Sequence, residues 1–282
     1  MSKITEFFGH NCQGNAEWKD ILNAQACPYT NKRCYKVRKS DPDISIGTCS
    51  VLYGNSPEPV IICPNRLLER GQIFTDCFHL LTQHEPGNEL HVVSEVTIPG
   101  GSVDYFLVSA RQGKVVDFVG VELQTLDTTG TLWPERQNLL DELGILDNTE
   151  DGSKKSFGMN WKMTAKTILM QIHHKIKTFE HINKKLALVV QGKLLEYMSH
   201  EFRFSHMKQP PLLGDSLHIH AYCMNITPAD INIQMVSRCS TDSTGVSECL
   251  GLQAEACMEL QQVISLLQSK ISINTRFKPM NA

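Results

Sequence analysis

No stretch of the chain is long and apolar enough to cross a bilayer, and residues 1–15 lack the charged-then-apolar pattern of a secretory leader. A membrane span has no support, and a cytoplasmic setting is the expectation. Charge of one sign is scarce too: 30 acidic residues stand against 27 Lys and Arg, for a formal net charge of −3. A chain so balanced does not grip polyanions through its overall charge, which leaves a local basic surface for that purpose. The sequence also lacks a P-loop, a Gly-rich dinucleotide fingerprint, a Gly-x-Ser-x-Gly elbow and any internal repeat. Nucleotide-driven, dinucleotide-dependent, serine-hydrolase and repeat-scaffold readings therefore have nothing to rest on. What is present is an ordinary globular composition, 41% hydrophobic and 20% charged over 282 residues, enough for one large domain or one domain plus a small module.

Ten cysteines in a cytosolic chain do not suggest a disulfide framework, so metal binding or simple burial has to explain them. Cys27, Cys34, Cys49 and Cys63 lie in a turn-rich stretch with little apolar content, spaced Cys-x6-Cys, Cys-x14-Cys and Cys-x13-Cys. Four thiolates so placed can close around one tetrahedral zinc or iron ion as a structural site. The compact knuckles of small zinc modules are absent, however, and buried free cysteines in a loop-rich lobe explain the pattern equally well. A rival ligand set is Cys63, Cys77, His79 and His84, with His79 in an expected helix over Leu67–Gln83. Between the cysteines, Lys32, Arg33, Lys36, Arg38 and Lys39 place five cations in eight residues. Such a run either is solvated or lies along phosphates.

Carboxylate chemistry is concentrated in the following segment. Val92–Ile98, Val103–Ser109 and Val115–Gln124 are β-branched and aromatic runs separated by Pro99-Gly100-Gly101 and Arg111-Gln112-Gly113-Lys114, which predicts a three-stranded meander. Alternation puts Glu122 and Gln124 on one face. With a three-residue loop at Gln112–Lys114, Arg111 pairs with Val115 and the register sets Asp104 opposite Glu122; a two-residue loop would shift the pairing by one and separate them. Like charges meeting across a ladder cost stability unless a divalent cation lies between them, and Glu95 on the preceding strand can add a third oxygen. The other reading makes Asp104 a turn cap and Glu122 and Gln124 a solvated sheet face.

Elsewhere the expectations concern packing. Residues 4–25 read as broken helical pieces, Asp127–Ser156 as a mobile loop with a short helix at Gln137–Leu143, and Trp161–Asn183 as the clearest helix. Its stripe of Ala165, Ile168, Leu169, Ile172, Ile176 and Phe179 is core-facing, and Lys162, Lys166, Lys175, Lys177 and Lys184 are assigned to the opposite, solvated or phosphate-facing side. A strand at Leu186–Gln191, a short helix at Lys193–His200 and a strand at Leu217–Asn225 follow, with His218 and His220 sharing a face. Thr241–Gly245 reads as a polar loop, and Gly251–Lys270 as an amphipathic helix that either caps the core or pairs with a second copy. The order of elements predicts an α/β (α+β) mixed sheet with a crossover.

Several of these pieces together resemble the NotI/EagI family of type II restriction endonucleases. Cys27-Pro28-Tyr29, Cys34, Gly47-Thr48-Cys49 and Ile62-Cys63-Pro64 with Arg66-Leu67 look like that family's four-cysteine segment. Glu95, Asp104 and Glu122-x-Gln124 look like its variant of the PD-(D/E)xK nuclease core, with glutamine where lysine is usual, and Asn160–Ile172 is similar to its following helix. The resemblance spans roughly residues 25–190. It implies a small metal-binding module over residues 1–84 and a nuclease core over 85–282 with recognition and dimerisation elements. It implies a structural iron on the four cysteines, zinc being the other candidate, and catalytic Mg²⁺ on Asp104 and Glu122. Glu95 becomes an accessory carboxylate, and Gln124 orients the attacking water. A homodimer cutting a palindromic GC-rich site in double-stranded DNA is implied, with a cognate DNA methyltransferase in the same bacterial system. Candidates for reading bases are, by residue type alone, Arg33, Arg38, Arg66, Arg136 and Arg203. The competing readings are a structure-specific repair nuclease of the same core and a noncatalytic metal-containing DNA-binding protein.

Overall fold

A computed structural model describes residues 2–54, 58–145, 157–227, 230–252 and 260–270. The N-terminal stretch departs at once from the helical expectation. Strands β1 (Ile4–Phe7) and β2 (His10–Asn11) pair antiparallel, and only α1 (Trp18–Ala24) is helical. The reversal falls at Phe8 and Gly9, both with positive φ, and a Cβ on Gly9 would lie 2.2 Å from the Pro28 ring. That close approach requires glycine, and it turns the chain where a helix would have continued. Strands β3 (Thr48–Val51) and β4 (Val60–Ile61) complete a small sheet in the order β2-β1-β3-β4, which carries Cys49 and delivers Cys63 just beyond its edge.

The expected helix over Leu67–Gln83 is broken into a 3-10 segment (Pro64–Gly71), α2 (Gln72–Cys77) and a second 3-10 turn (Phe78–Leu80). Arg70 and Gly71 adopt left-handed φ of 50° and 65°, which ends the first segment. The meander then follows as β5 (Glu89–Ile98), β6 (Gly101–Arg111) and β7 (Lys114–Leu123), each starting earlier than its apolar run. After α3 (Trp133–Glu142), the long helix α4 (Trp161–His181) crosses to β8 (Lys185–Gln191). Then come α5 (Gly192–Glu201), β9 (Leu217–Ile226) and β10 (Ile231–Thr241). They form a six-stranded mixed sheet in the order β10-β9-β8-β7-β6-β5, parallel at β7/β8 and β8/β9 and antiparallel elsewhere.

Strand β10 has no counterpart in the sequence reading, and the expected polar loop at Thr241–Gly245 is the start of α6 (Ser243–Cys249). Asp242 caps that helix, its carboxylate accepting from the Gly245 N–H at 2.9 Å. Part of the expected C-terminal helix is present as α7 (Leu260–Gln268); its residues 253–259 lie outside the described residues, as do 146–156 of the expected mobile loop.

The stripe on α4 is buried as predicted, packing with Phe106, Leu186, Leu188 and Ile219 on one face of the sheet. Gly120 makes that contact possible, because a Cβ there would meet the Phe179 ring at 2.5 Å. Ile4, Phe7 and Phe8 belong to the same cluster. The opposite sheet face is covered by Leu67, Ile73, Cys77 and Leu80. Edge strand β5 is exposed along almost its whole length.

Candidate active site

The hairpin between β6 and β7 does not have the expected three-residue loop. Arg111 pairs with Lys114 around the two-residue turn Gln112-Gly113, both at positive φ as a type I′ turn requires. A bulge then intervenes, since Ala110 faces Val115 but Ser109 faces Asp117. The extra residue restores the register the shorter turn removed, so the ladder runs to Tyr105↔Val121 with Asp104 and Glu122 next in line. On the other side Val103 pairs with Val96 and Tyr105 with Ser94, which sets Glu95 beside Asp104. Glu95 interrupts that ladder with φ +55°, a left-handed conformation uncommon for a side chain of its type. Three carboxylates thus occupy one row across three strands.

Their environments differ. Glu95 is exposed, Asp104 half-buried, and Glu122 only 2% exposed. Burial pushes the Glu122 carboxyl up to about 7, opposed by a hydrogen bond from Lys175 and reinforced by the charge of Asp104. The Asp104 carboxyl is likewise raised, chiefly by burial; the Leu123 N–H, donating to Oδ2 at 2.8 Å, and Lys175 work against this, and Glu95 adds to it. Two carboxyls that resist ionisation beside each other form a donor set suited to a hard divalent cation. Among the described residues, no group of three or more His, Cys, Asp or Glu side chains is already gathered into a metal-binding arrangement.

Gln124 shares the face of Glu122. Its amide donates to Gln171 Oε1 at 3.4 Å, and its backbone N–H donates to the Val189 carbonyl at 2.9 Å. The group missed from the sequence is Lys175. Assigned above to the solvated side of α4, it is instead 6% exposed, with Nζ 2.6 Å from Glu122 Oε1. The spacing did contain the signal: Lys175 lies three residues after Ile172 and four before Phe179, within the apolar stripe. Lys162 and Lys184 are also paired, with Glu201 and Asp117.

The turn between β5 and β6 is fitted to this lysine. Thr178 donates to the Pro99 carbonyl at 2.9 Å, a Cβ on Gly100 would lie 2.3 Å from the His174 carbonyl oxygen, and one on Gly101 3.2 Å from Lys175 Cε. Gly100 also has φ +101°. Gly100→Ala is therefore expected to destabilise the protein by roughly 2–4 kcal/mol, combining left-handed strain with a clash against helix backbone. Gly113→Ala, with φ +73° but open space around its Cβ, is the control and should cost only about 1 kcal/mol. Denaturant unfolding of the two variants checks the difference.

Asp104 and Glu95 open into a cleft of about 740 Å³ whose other wall is the cysteine-bearing segment: Tyr29, Thr30, Lys32, Arg33 and Tyr35. The four cysteines of the sequence reading lie in and beside that segment. Cys27, Cys49 and Cys63 are buried and Cys34 half-buried. Burial raises the Cys49 thiol, helped by Glu6 and then by Cys63 and Cys34; the Cys63 thiol, also raised by burial, feels Cys34 and Cys27 and is relieved by Lys36. The four thiols are nevertheless not gathered into a metal-binding arrangement among the described residues. The rival set does not assemble, since His84 Nδ1 bonds Ser109 Oγ and His79 stacks on His220, far from service as ligands with Cys63.

The basic run is also partly committed to protein. Lys36 donates to the Ile62 carbonyl, and the Arg38 guanidinium lies 4.0 Å from the centre of the Trp133 ring. Of the arginines named for base reading, Arg66 is fully buried and Arg136 is 6% exposed against Trp133 and Phe7, so neither can reach a groove. Arg33, on the cleft wall and donating to the Pro42 and Asp43 carbonyls, the half-buried Arg38 and the exposed Arg203 remain.

No curated protein matches the chain. A family model described as restriction endonuclease NotI matches residues 22–213, about two thirds of the sequence, covering the cysteine segment, the carboxylate strands, α4 and β8. The chain belongs to the NotI restriction endonuclease family, type II enzymes that cut double-stranded DNA at specific sites.

Proposed function

We propose that the chain hydrolyses phosphodiester bonds in the cleft between the cysteine segment and the carboxylate row, with Asp104 and Glu122 holding Mg²⁺, Glu95 as an accessory carboxylate and Gln124 positioning the attacking water. The observation that carries this reading is the alignment of Glu95, Asp104 and Glu122 on three adjacent strands, the first two lining a cleft whose facing wall bears Lys32 and Arg33. Bound there, a divalent cation supplies positive charge to the phosphoryl group and eases loss of the proton from water.

The protein's own groups do the rest. Lys32 and Arg33 neutralise phosphates of the incoming backbone, drawing the strand against Asp104. The Leu123 N–H fixes one oxygen of Asp104, and Lys175 fixes one oxygen of Glu122. Gln124 is a neutral amide, so it orients water by hydrogen bonding and neither removes its proton nor carries compensating charge. The water oxygen bonds to phosphorus, the P–O3′ bond breaks, and the water's protons pass to solvent and to the leaving oxygen. Cys27, Cys34, Cys49 and Cys63 hold iron, or zinc, as a structural centre that stiffens the Tyr29–Tyr35 wall. The resemblance to NotI/EagI enzymes supports a homodimer, a palindromic GC-rich site and a partner methyltransferase.

The test is digestion of large plasmid and phage DNA by purified protein with Mg²⁺, beside an EDTA control. Discrete fragments with common ends are expected, and their sequenced termini give the site. Elemental analysis of the same preparation is expected to find one iron or zinc per chain. DNA bound but left intact at every concentration of Mg²⁺ would replace the nuclease reading with that of a binding protein.

A further inference from the structure

We infer that Lys175 of α4 supplies the cation that β7 lacks at Gln124, holding the Glu122 carboxylate from the protein side and bringing positive charge to the site of hydrolysis. The inference rests on the proposed role of the carboxylate row. Its own basis is the way α4 is laid against that row.

Gln171, Lys175 and Thr178 lie four and three residues apart and so share one side of the helix. Gln171 meets Gln124 at 3.4 Å, Lys175 meets Glu122 at 2.6 Å, and Thr178 holds the Pro99 carbonyl at 2.9 Å. One helix side thus meets, in order, both polar residues of the Glu-x-Gln pair and the turn that starts β6. The glycines at 100 and 101 let this turn settle on Lys175 without displacing it.

The placement is not what stability alone would choose. A lysine in an apolar stripe loses its hydration, and the ion pair it gains seldom exceeds a well-packed hydrophobic replacement. Its effect on the site is specific, however. Lys175 occupies Glu122 Oε1 while the Leu123 N–H occupies Asp104 Oδ2, leaving Glu122 Oε2 and Asp104 Oδ1 as the oxygens each carboxylate can offer. The ammonium also acts on Asp104 across the row. Position 124 cannot provide this, because an amide carries no charge. Lys175 reaches the reaction through Glu122 and is therefore a positioning residue.

Single-turnover cleavage at saturating protein, with DNA affinity measured separately in EDTA, tests the assignment. Lys175→Met is expected to lower the cleavage rate at least 100-fold with affinity changed less than threefold. Gln124→Lys in the Lys175→Met background returns an ammonium to the same carboxylate from the strand, and should recover at least tenfold. A purely structural lysine would not be rescued from that position. If Lys175→Met does not fold, the double variant decides: cleavage supports the assignment, and a folded but inert protein overturns it. Wild type that cleaves beside a Lys175→Met variant within threefold of it overturns this assignment alone. Wild type that never cleaves removes the nuclease reading, and the assignment with it.

Discussion

Asp104→Asn and Glu122→Gln are each expected to lower the single-turnover cleavage rate by about 10³-fold or more while DNA affinity stays within about threefold. The amides keep the size of the side chains and remove the charge. Asn at 104 can still accept from the Leu123 N–H, and Gln at 122 can still accept from Lys175, so the local fold has its bonds without its anions. Affinity should hold, because removing negative charge beside a polyanion does not weaken it. Parallel loss of binding and cleavage would show instead that the pair shapes the cleft. Glu95→Gln should cost less, roughly tenfold, since that residue is exposed at the rim. The raised Glu122 carboxyl adds a pH signature: below about 7 the proton competes with the cation. The Mg²⁺ concentration for half-maximal cleavage is therefore expected to rise as pH falls through that value and to level off above it. A half-maximal concentration flat from pH 6 to 8 would remove Glu122 as a ligand.

The way this site assembles shows what can be read from a single chain. The runs at Val103–Ser109 and Val115–Gln124 carry their period plainly, which fixes the face of each side chain, but the register that aligns Asp104 with Glu122 rests on the turn. A two-residue loop plus a bulge gives the same register as the expected three-residue loop, and the period does not distinguish them. In the N-terminal segment, Ile4, Phe7 and Phe8 fit a helix as well as a short strand, and the packing of Gly9 against Pro28 decides the matter through a residue nineteen positions away. Lys175 was legible as an intruder in an apolar stripe, but its partner was not, because a helix records which side is buried and not what lies opposite. Arg66 presents the same difficulty, since its type suggested guanine and its surroundings give it a carboxylate.

Arg66→Ala is expected to destabilise the protein by about 3–5 kcal/mol, the larger of the two single losses in the N-terminal sheet network when set beside Glu6→Ala. The guanidinium is fully buried, 2.7 Å from Glu6 Oε2 and 3.0 Å from Glu69 Oε2, and lies 5.1 Å from the centre of the Tyr29 ring. Tyr29 in turn donates its hydroxyl to Glu6 Oε1, and Glu69 accepts from the Ile233 N–H at 2.8 Å. One cation thus joins β1, the cleft wall, the segment after Cys63 and the edge strand β10. Burial already pushes the Glu6 carboxyl upward against Arg66, so without the guanidinium the carboxylate is left dry and unpaired and takes up a proton. The loss should accordingly shrink as pH is lowered, because protonation relieves what the missing cation had offset. Glu6→Gln/Arg66→Met, which removes both charges, should recover at least half of the stability lost by Arg66→Ala, and denaturant unfolding of the three proteins measures it. A single-variant loss below about 1 kcal/mol would mean that the network is ornamental. Because Tyr29 belongs both to this network and to the cleft, the same variant is expected to weaken DNA binding before it unfolds, as the wall that carries Lys32 and Arg33 loses its support.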